Sequence, residues 1–143
     1  MTEKKSPYCG CLLYTANALS RVITKMAEEE FAVVGVAPSH CFLLMTVHND
    51  PGIQASGIAE KMMLTPSTVT RLVEKMEQQR YVQRITDGKY TLVYPTKKTN
   101  DVYPAILESW QNLFRRYAEV LGEEVARQLT AEIYSAALKL EAR

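Results

Sequence analysis

IAEKMMLTPSTVTRLVEKMEQQRYVQR, from Ile58 to Arg84, holds the end of one helix, a short turn, a second helix and the entry to a strand. Within residues 56–64, Ile58, Ala59 and Met62 recur at helical spacing. Thr65 has the chemistry of an N-cap, and Pro66 suits the first helical position, where its missing N–H costs nothing. Val69, Leu72, Val73 and Met76 then make the apolar stripe of a helix that runs to about Arg80. Beyond it the period changes from 3.6 to 2. Tyr81–Thr86 and Lys89–Tyr94 are rich in Tyr, Val, Ile and Thr, and they flank Asp87-Gly88, a two-residue type I′ hairpin signal. Pro95 ends the second strand.

Helix, short turn, helix and tight hairpin within about 40 residues make a winged helix-turn-helix. Its second helix fits the major groove of DNA and offers its N-terminal residues to base edges. The hairpin reaches the flanking backbone or the minor groove. Residue chemistry agrees with this use. Thr65, Ser67, Thr68, Thr70, Arg71 and Lys75 lie off the apolar stripe; hydroxyls can meet phosphates or bases, and Arg pairs with guanine or phosphate. Across 56–100 there are eight Lys and Arg against four Asp and Glu, although the net charge of the sequence is only +1. The modest local excess predicts moderate, salt-sensitive affinity.

Working outward, Leu12, Ala16, Leu19, Ile23 and Met26 step by four and three along an amphipathic helix over 8–30. Ser39 is placed to cap a short helix His40–His48, and Asn49-Asp50-Pro51-Gly52 is a turn. After Pro95 the helical period returns. Val102, Ile106, Leu113, Tyr117 and Leu121 mark a long helix that Pro104 should kink or interrupt. Gly122 breaks it, and Val125, Leu129, Ile133, Ala136 and Leu140 mark the last helix. Two terminal amphipathic helices on a small winged lobe have little in their own chain to pack against, so they predict dimerisation. The expected fold is therefore mainly α with a small β-hairpin wing: one domain over 1–143, with a winged helix-turn-helix lobe at 38–95 and dimerisation helices at 8–30 and 100–143.

With 47% hydrophobic and 23% charged residues, the composition excludes disorder, a collagen-like fibre and a disulfide scaffold. Lys4, Lys5 and the apolar run Tyr8–Tyr14 imitate a signal peptide, but the helical pattern continues unbroken to Met26, which predicts a folded helix. No run approaches a membrane span, and the expected location is the cytoplasm. Catalysis has no support: there is no Gly-rich phosphate loop, nucleophile elbow or H-E-x-x-H, and no cofactor or metal site is expected. His40 and His48 are eight residues apart, too far for one metal ion without other ligands.

The segment Ile58–Arg84 resembles the recognition segment of the MarR family of bacterial regulators. It shares a hydrophobic-Ala pair, a turn ending in Leu, Ser/Thr-x-Ser-Thr-Val-Thr-Arg, a helix, and a strand carrying Arg. The order of the flanking helices and the Pro-Thr-Lys-Lys at 95–98 extend the resemblance over nearly the whole chain. It implies a triangular homodimer whose first, fifth and sixth helices interlock. It also implies two winged lobes on a near-palindromic double-stranded operator, and a repressor released by a small aromatic ligand, an oxidant or a metal. The sequence departs from the family at Met63, Arg80 and Thr99, where Gly is common, and in a short wing without its tip arginine. Lys89, or Arg84 on the strand, is expected to stand in for that arginine.

Two alternatives follow from particular features. Cys9 and Cys11, with Tyr8 and Tyr14 near in sequence, fit a thiol-based oxidant sensor; Cys41 reads as core. The short wing and small charge excess fit a protein-interaction module that has lost DNA binding. Tyr14, Tyr103 and Tyr117 are candidates to line an aromatic ligand pocket, with no ligand-binding residue assigned.

Overall fold

The computed structural model describes residues 5–142; residues 1–4, Lys4 among them, and Arg143 lie outside the described residues. The chain runs through α1 (Leu12–Phe31), α2 (Pro38–Asn49), β1 (Ile53–Gln54), α3 (Ala55–Met62) and α4 (Pro66–Gln78). It continues with β2 (Val82–Asp87), β3 (Tyr90–Pro95), α5 (Lys97–Leu121) and α6 (Glu123–Glu141). The three strands form one antiparallel sheet in the order β1-β3-β2. The architecture is the expected one: mostly helix, a winged helix-turn-helix, and long helices on either side of it.

The core sits where the lobe meets α5. Leu43, Leu44 and Val47 of α2, Ile58 of α3, Val69 and Met76 of α4, Val93 of β3 and Ile106 of α5 are all fully buried. Each such side chain contributes about 1.5–3 kcal/mol over leaving it in water. The terminal helices behave differently. Of the 20 residues of α1 only Ala27 and Phe31 are buried, and α6 buries only Ala126. Leu12 is 65% exposed, Val125 52% and Leu140 59%. The apolar stripes of α1 and α6 are thus largely unused by their own chain.

Several local expectations are corrected. Helix α1 begins at Leu12 rather than residue 8, because 7–10 fold as a turn closed by Cys9 N–H to the Ser6 carbonyl and Cys11 N–H to the Tyr8 carbonyl. Ser39 is not the cap of α2. Ala37 takes the extended cap conformation and Pro38 is the first helical residue, where a proline ring presets φ. Strand β1 was not foreseen. A two-residue strand carries no periodicity, and it forms because Gly52 N–H bonds the Val93 carbonyl at 2.8 Å. Gly52 has φ +85° and a Cβ there would sit 3.0 Å from the Tyr94 hydroxyl, so any other residue at this crossing would be strained.

The hairpin turn is Gly88-Lys89, not Asp87-Gly88, since Asp87 pairs with Tyr90. Gly88 has φ +61° while Lys89 is not left-handed, the pattern of a type II′ turn with glycine first. Pro104 does not interrupt the helix: α5 runs through it over 25 residues. The missing N–H frees the Asn100 carbonyl, a cost of about 3 kcal/mol that buried Ile106, Ser109 and Leu113 offset by anchoring the helix beyond.

Candidate nucleic-acid interface

Helix α4 carries the site. Its N-cap is Thr65, whose Oγ1 accepts from Thr68 N–H at 3.4 Å and shares protons with the Ser67 hydroxyl at 3.3 Å and the Thr68 hydroxyl at 2.9 Å. Thr70 Oγ1 donates to the Pro66 carbonyl at 3.0 Å, leaving that hydroxyl its acceptor lone pair for a ligand. Val69, Val73 and Met76 are buried and fix the roll of the helix. The opposite face is therefore solvent-facing. Ser67, Arg71 and Lys75, spaced by four, form one exposed row along it. Thr65 and Thr70 are exposed beside that row and Thr68 is half-buried. The free backbone amides of the first turn lie at the Ser67 end of that row, a setting that favours phosphate.

The cations are not equally available. Arg84 is half-buried and grips α4. Its Nε and Nη2 donate to Glu77 Oε1 at 3.2 and 2.8 Å, its backbone N–H donates to Glu77 Oε2 at 3.1 Å, and Nη1 lies 3.9 Å from Glu74. These bonds hold the Glu77 carboxyl below its ordinary pKa. Lys98 donates to the Gln79 carbonyl at 2.8 Å, Lys97 pairs with Asp101 at 2.9 Å, and Lys61 lies 3.5 Å from Asp50. Of the eight basic residues in 56–100, Arg71, Lys75, Arg80 and Lys89 have neither a carboxylate nor a carbonyl partner among the described residues, whereas Lys98 is held by a carbonyl alone. Lys89 occupies the wing tip, exposed, with Nζ 5.6 Å from the Tyr90 ring centroid.

The α4 residues named from the sequence share one exposed side of the helix, while Lys89, read as the first residue of the second strand, falls instead in the turn. Arg84 falls elsewhere: it braces strand β2 against α4. What sequence reasoning missed is the use made of Lys98 and Thr99. The one signal was Thr99, where the family commonly has Gly; it is fully buried and donates its hydroxyl to the Tyr81 carbonyl.

The remaining candidates scatter. Cys9 and Cys11 are exposed, next to the Tyr8–Tyr14 ring pair at 5.5 Å. Cys41 is buried; its thiol donates to the Val36 carbonyl at 3.5 Å, and burial pushes its pKa up to about 12. His48 Nδ1 bonds the Asn100 side-chain oxygen at 2.7 Å and its ring stacks on Tyr103 at 3.7 Å. His40 lies buried near Lys75, and burial first, then that charge, lowers its pKa. Tyr14, Tyr103 and Tyr117 do not converge: they pack on Tyr8, His48 and Phe114 respectively.

Comparison with known proteins agrees with this geometry. The MarR family model matches residues 37–88, the span from the start of α2 to the wing tip. The HTH-type transcriptional repressor MdtR of Bacillus subtilis (strain 168) is 28% identical over 126 residues, 84% of this chain and 81% of its own length. Among solved structures, a MarR protein from Peptoclostridium difficile has a TM-score of 0.81 at 16% identity, covering 99% of this chain and 95% of that one. A MepR–DNA complex from S. aureus has a TM-score of 0.76 at 16% identity over 90% and 97%. At such identities the structural likenesses establish the fold.

Proposed function

We propose, from the premise that this chain is a winged helix-turn-helix regulator of the MarR family, that it is a homodimeric, sequence-specific DNA-binding repressor in the cytoplasm, released by a small aromatic effector. It is a regulator of transcription and not an enzyme. The observation that carries the reading is the exposed row Ser67, Arg71 and Lys75 on a capped helix whose other face is locked into the core.

Thr65, Ser67, Thr68 and Thr70 meet phosphate and base edges at the N-terminal turn. Arg71 reads a base, and Lys75 holds a phosphate. Lys89 reaches the flanking backbone, and Arg84 acts by fixing the wing on α4. The bare apolar faces of α1 and α6 support a second copy as the partner. Two recognition helices must then sit about 34–36 Å apart to enter successive major grooves. An effector that favours another spacing weakens binding by as much as it prefers that state.

The test is selection from a random duplex library, followed by titration of the winning duplex across a salt series. An enriched near-palindrome bound with a steep salt slope is expected. Arg71→Ala should cost about 1–3 kcal/mol and relax one position, while Lys75→Ala should weaken all sequences alike and reduce the salt slope by about one. A folded dimer that enriches nothing at low salt would overturn the reading in favour of a protein-interaction module.

A further inference from the structure

The end of β3 and the first turn of α5 close over the C-terminal end of α4. Helix α4 ends with Arg80 N–H on the Glu77 carbonyl at 2.9 Å and Tyr81 N–H on the Met76 carbonyl at 2.8 Å. The C-cap Gln79 and the two residues after it, Arg80 and Tyr81, then offer three consecutive carbonyls just beyond the helix. All three are taken by the first turn of α5 and its N-cap residue, Thr96. Lys98 Nζ donates to Gln79, and lies 4.1 Å from the Tyr81 ring centroid. Thr96 Oγ1 reaches Arg80 at 2.6 Å and Tyr81 at 3.1 Å. Thr96 N–H and the buried Thr99 hydroxyl both donate to Tyr81. A cation at a helix C-terminus is also favoured by the aligned peptide dipoles.

We infer that Thr96, Lys98 and Thr99 are positioning residues: they make the orientation of the recognition helix α4 follow that of α5, and so set the spacing of the two recognition helices in the dimer. This rests on the reading that the chain binds DNA as a dimer. Apolar packing alone lets one helix roll or slide on another. Directional bonds to three consecutive carbonyls do not, so α4 turns only when α5 turns. From that grip α5 extends 25 residues, about 37 Å at helical rise. Near its far end Arg116 pairs with Glu29 at 2.8 Å and lies 3.7 Å from Glu30, both on α1. Movement at the base of the molecule therefore has a stiff rod and a polar grip through which to reach the groove-reading face. Thr99 makes the grip tighter than a glycine there would, because it adds a buried donor.

The test uses two readouts on Lys98→Met with Thr99→Val. The first needs no DNA. Spin labels at Ser67→Cys and Glu119→Cys, in a background with Cys9→Ser and Cys11→Ser and diluted with unlabelled chain, report the distance between α4 and α5. The double variant should broaden that distribution, and Thr99→Ser should restore it. The second uses the selected duplex with a base pair inserted or removed between its halves. The unmodified chain should prefer the selected spacing by about tenfold, the size of one lost specific contact, and the double variant should lose most of that preference. An isolated half-site should bind both equally. An unchanged distance distribution, or an undiminished spacing preference, overturns the inference. Lys98 is exposed, so Lys98→Met alone gives the same comparison in a chain that stays folded. Failure to select any duplex would refute DNA binding, while the label distances still decide the grip.

Discussion

Glu77 shows how much one side chain can settle. Its two oxygens accept from the Arg84 backbone N–H and from the Arg84 guanidinium, so the carboxylate joins strand β2 to the last turn of α4. The sequence displays both residues but not the pairing, because they stand seven apart across a helix end and a bend. The consequence is a pH effect of defined sign. Glu77 has a lowered pKa, chiefly through its hydrogen bond from the Arg84 side chain. The stabilisation is therefore complete above the ordinary value of 4.5 and is lost as the pH falls through the lower native value. Urea titrations of Glu77→Gln should show a shallower loss of stability below pH 4.5 than the unmodified chain; parallel curves would show that the pair contributes nothing. The cysteines give a second expectation. Ellman's reagent on the native chain should react promptly with Cys9 and Cys11, while Cys41, buried and with its pKa near 12, should react only after unfolding.

At the level of elements, the helix-turn-helix is closed by two non-glycine residues in the left-handed region. Met63 has φ +54° at the end of α3, and Arg80 has φ +67° just after α4. Both are positions where the family resemblance expected glycine, and the backbone explains why: helices end most cheaply on a left-handed residue without a Cβ. A left-handed L-residue costs about 1–2 kcal/mol, while glycine costs about 0.5–1 kcal/mol more in chain entropy. Arg80→Gly should then raise stability by roughly 0.5–1 kcal/mol by denaturant midpoint at unchanged m-value. A lower midpoint would mean that the Arg80 side chain stabilises the native state by more than its backbone strain costs. The same substitution removes one of the cations without a carboxylate partner, so it should also lower the salt slope if Arg80 meets phosphate. The three-stranded sheet teaches a related point. The β2–β3 hairpin was legible from its alternation, but the turn lay one residue further on, because only tertiary pairing of Asp87 with Tyr90 sets the register.

Across the whole molecule, apolar surface is distributed unevenly. The lobe and the middle of α5 hold the buried side chains, while α1 and α6 leave Leu12, Val22, Val125, Ile133, Leu138 and Leu140 at 45% exposure or more. Exposed apolar area on that scale marks an interaction surface. Ile133→Glu places a charge in it and should convert the proposed dimer to monomers in analytical ultracentrifugation. Loss of the linked second half-site should then weaken operator binding by about a hundredfold or more. A dimer that persists in Ile133→Glu would put the self-association surface elsewhere.

The sequence by itself determined the elements and their order, the cap at Thr65, the row Ser67, Arg71 and Lys75, and the surplus of apolar stripes at both termini. Those are local matters: propensity, period and capping act over a few residues and are written in consecutive positions. Only the tertiary structure decided which cations are held by a carboxylate or a carbonyl and which are not. Arg84 is bound to Glu77, and Lys98 to the Gln79 carbonyl nineteen residues away; Thr99 is buried under Tyr81. Contacts of that reach depend on how a strand and a helix end are brought together in space, and no period along the chain encodes a distance across it.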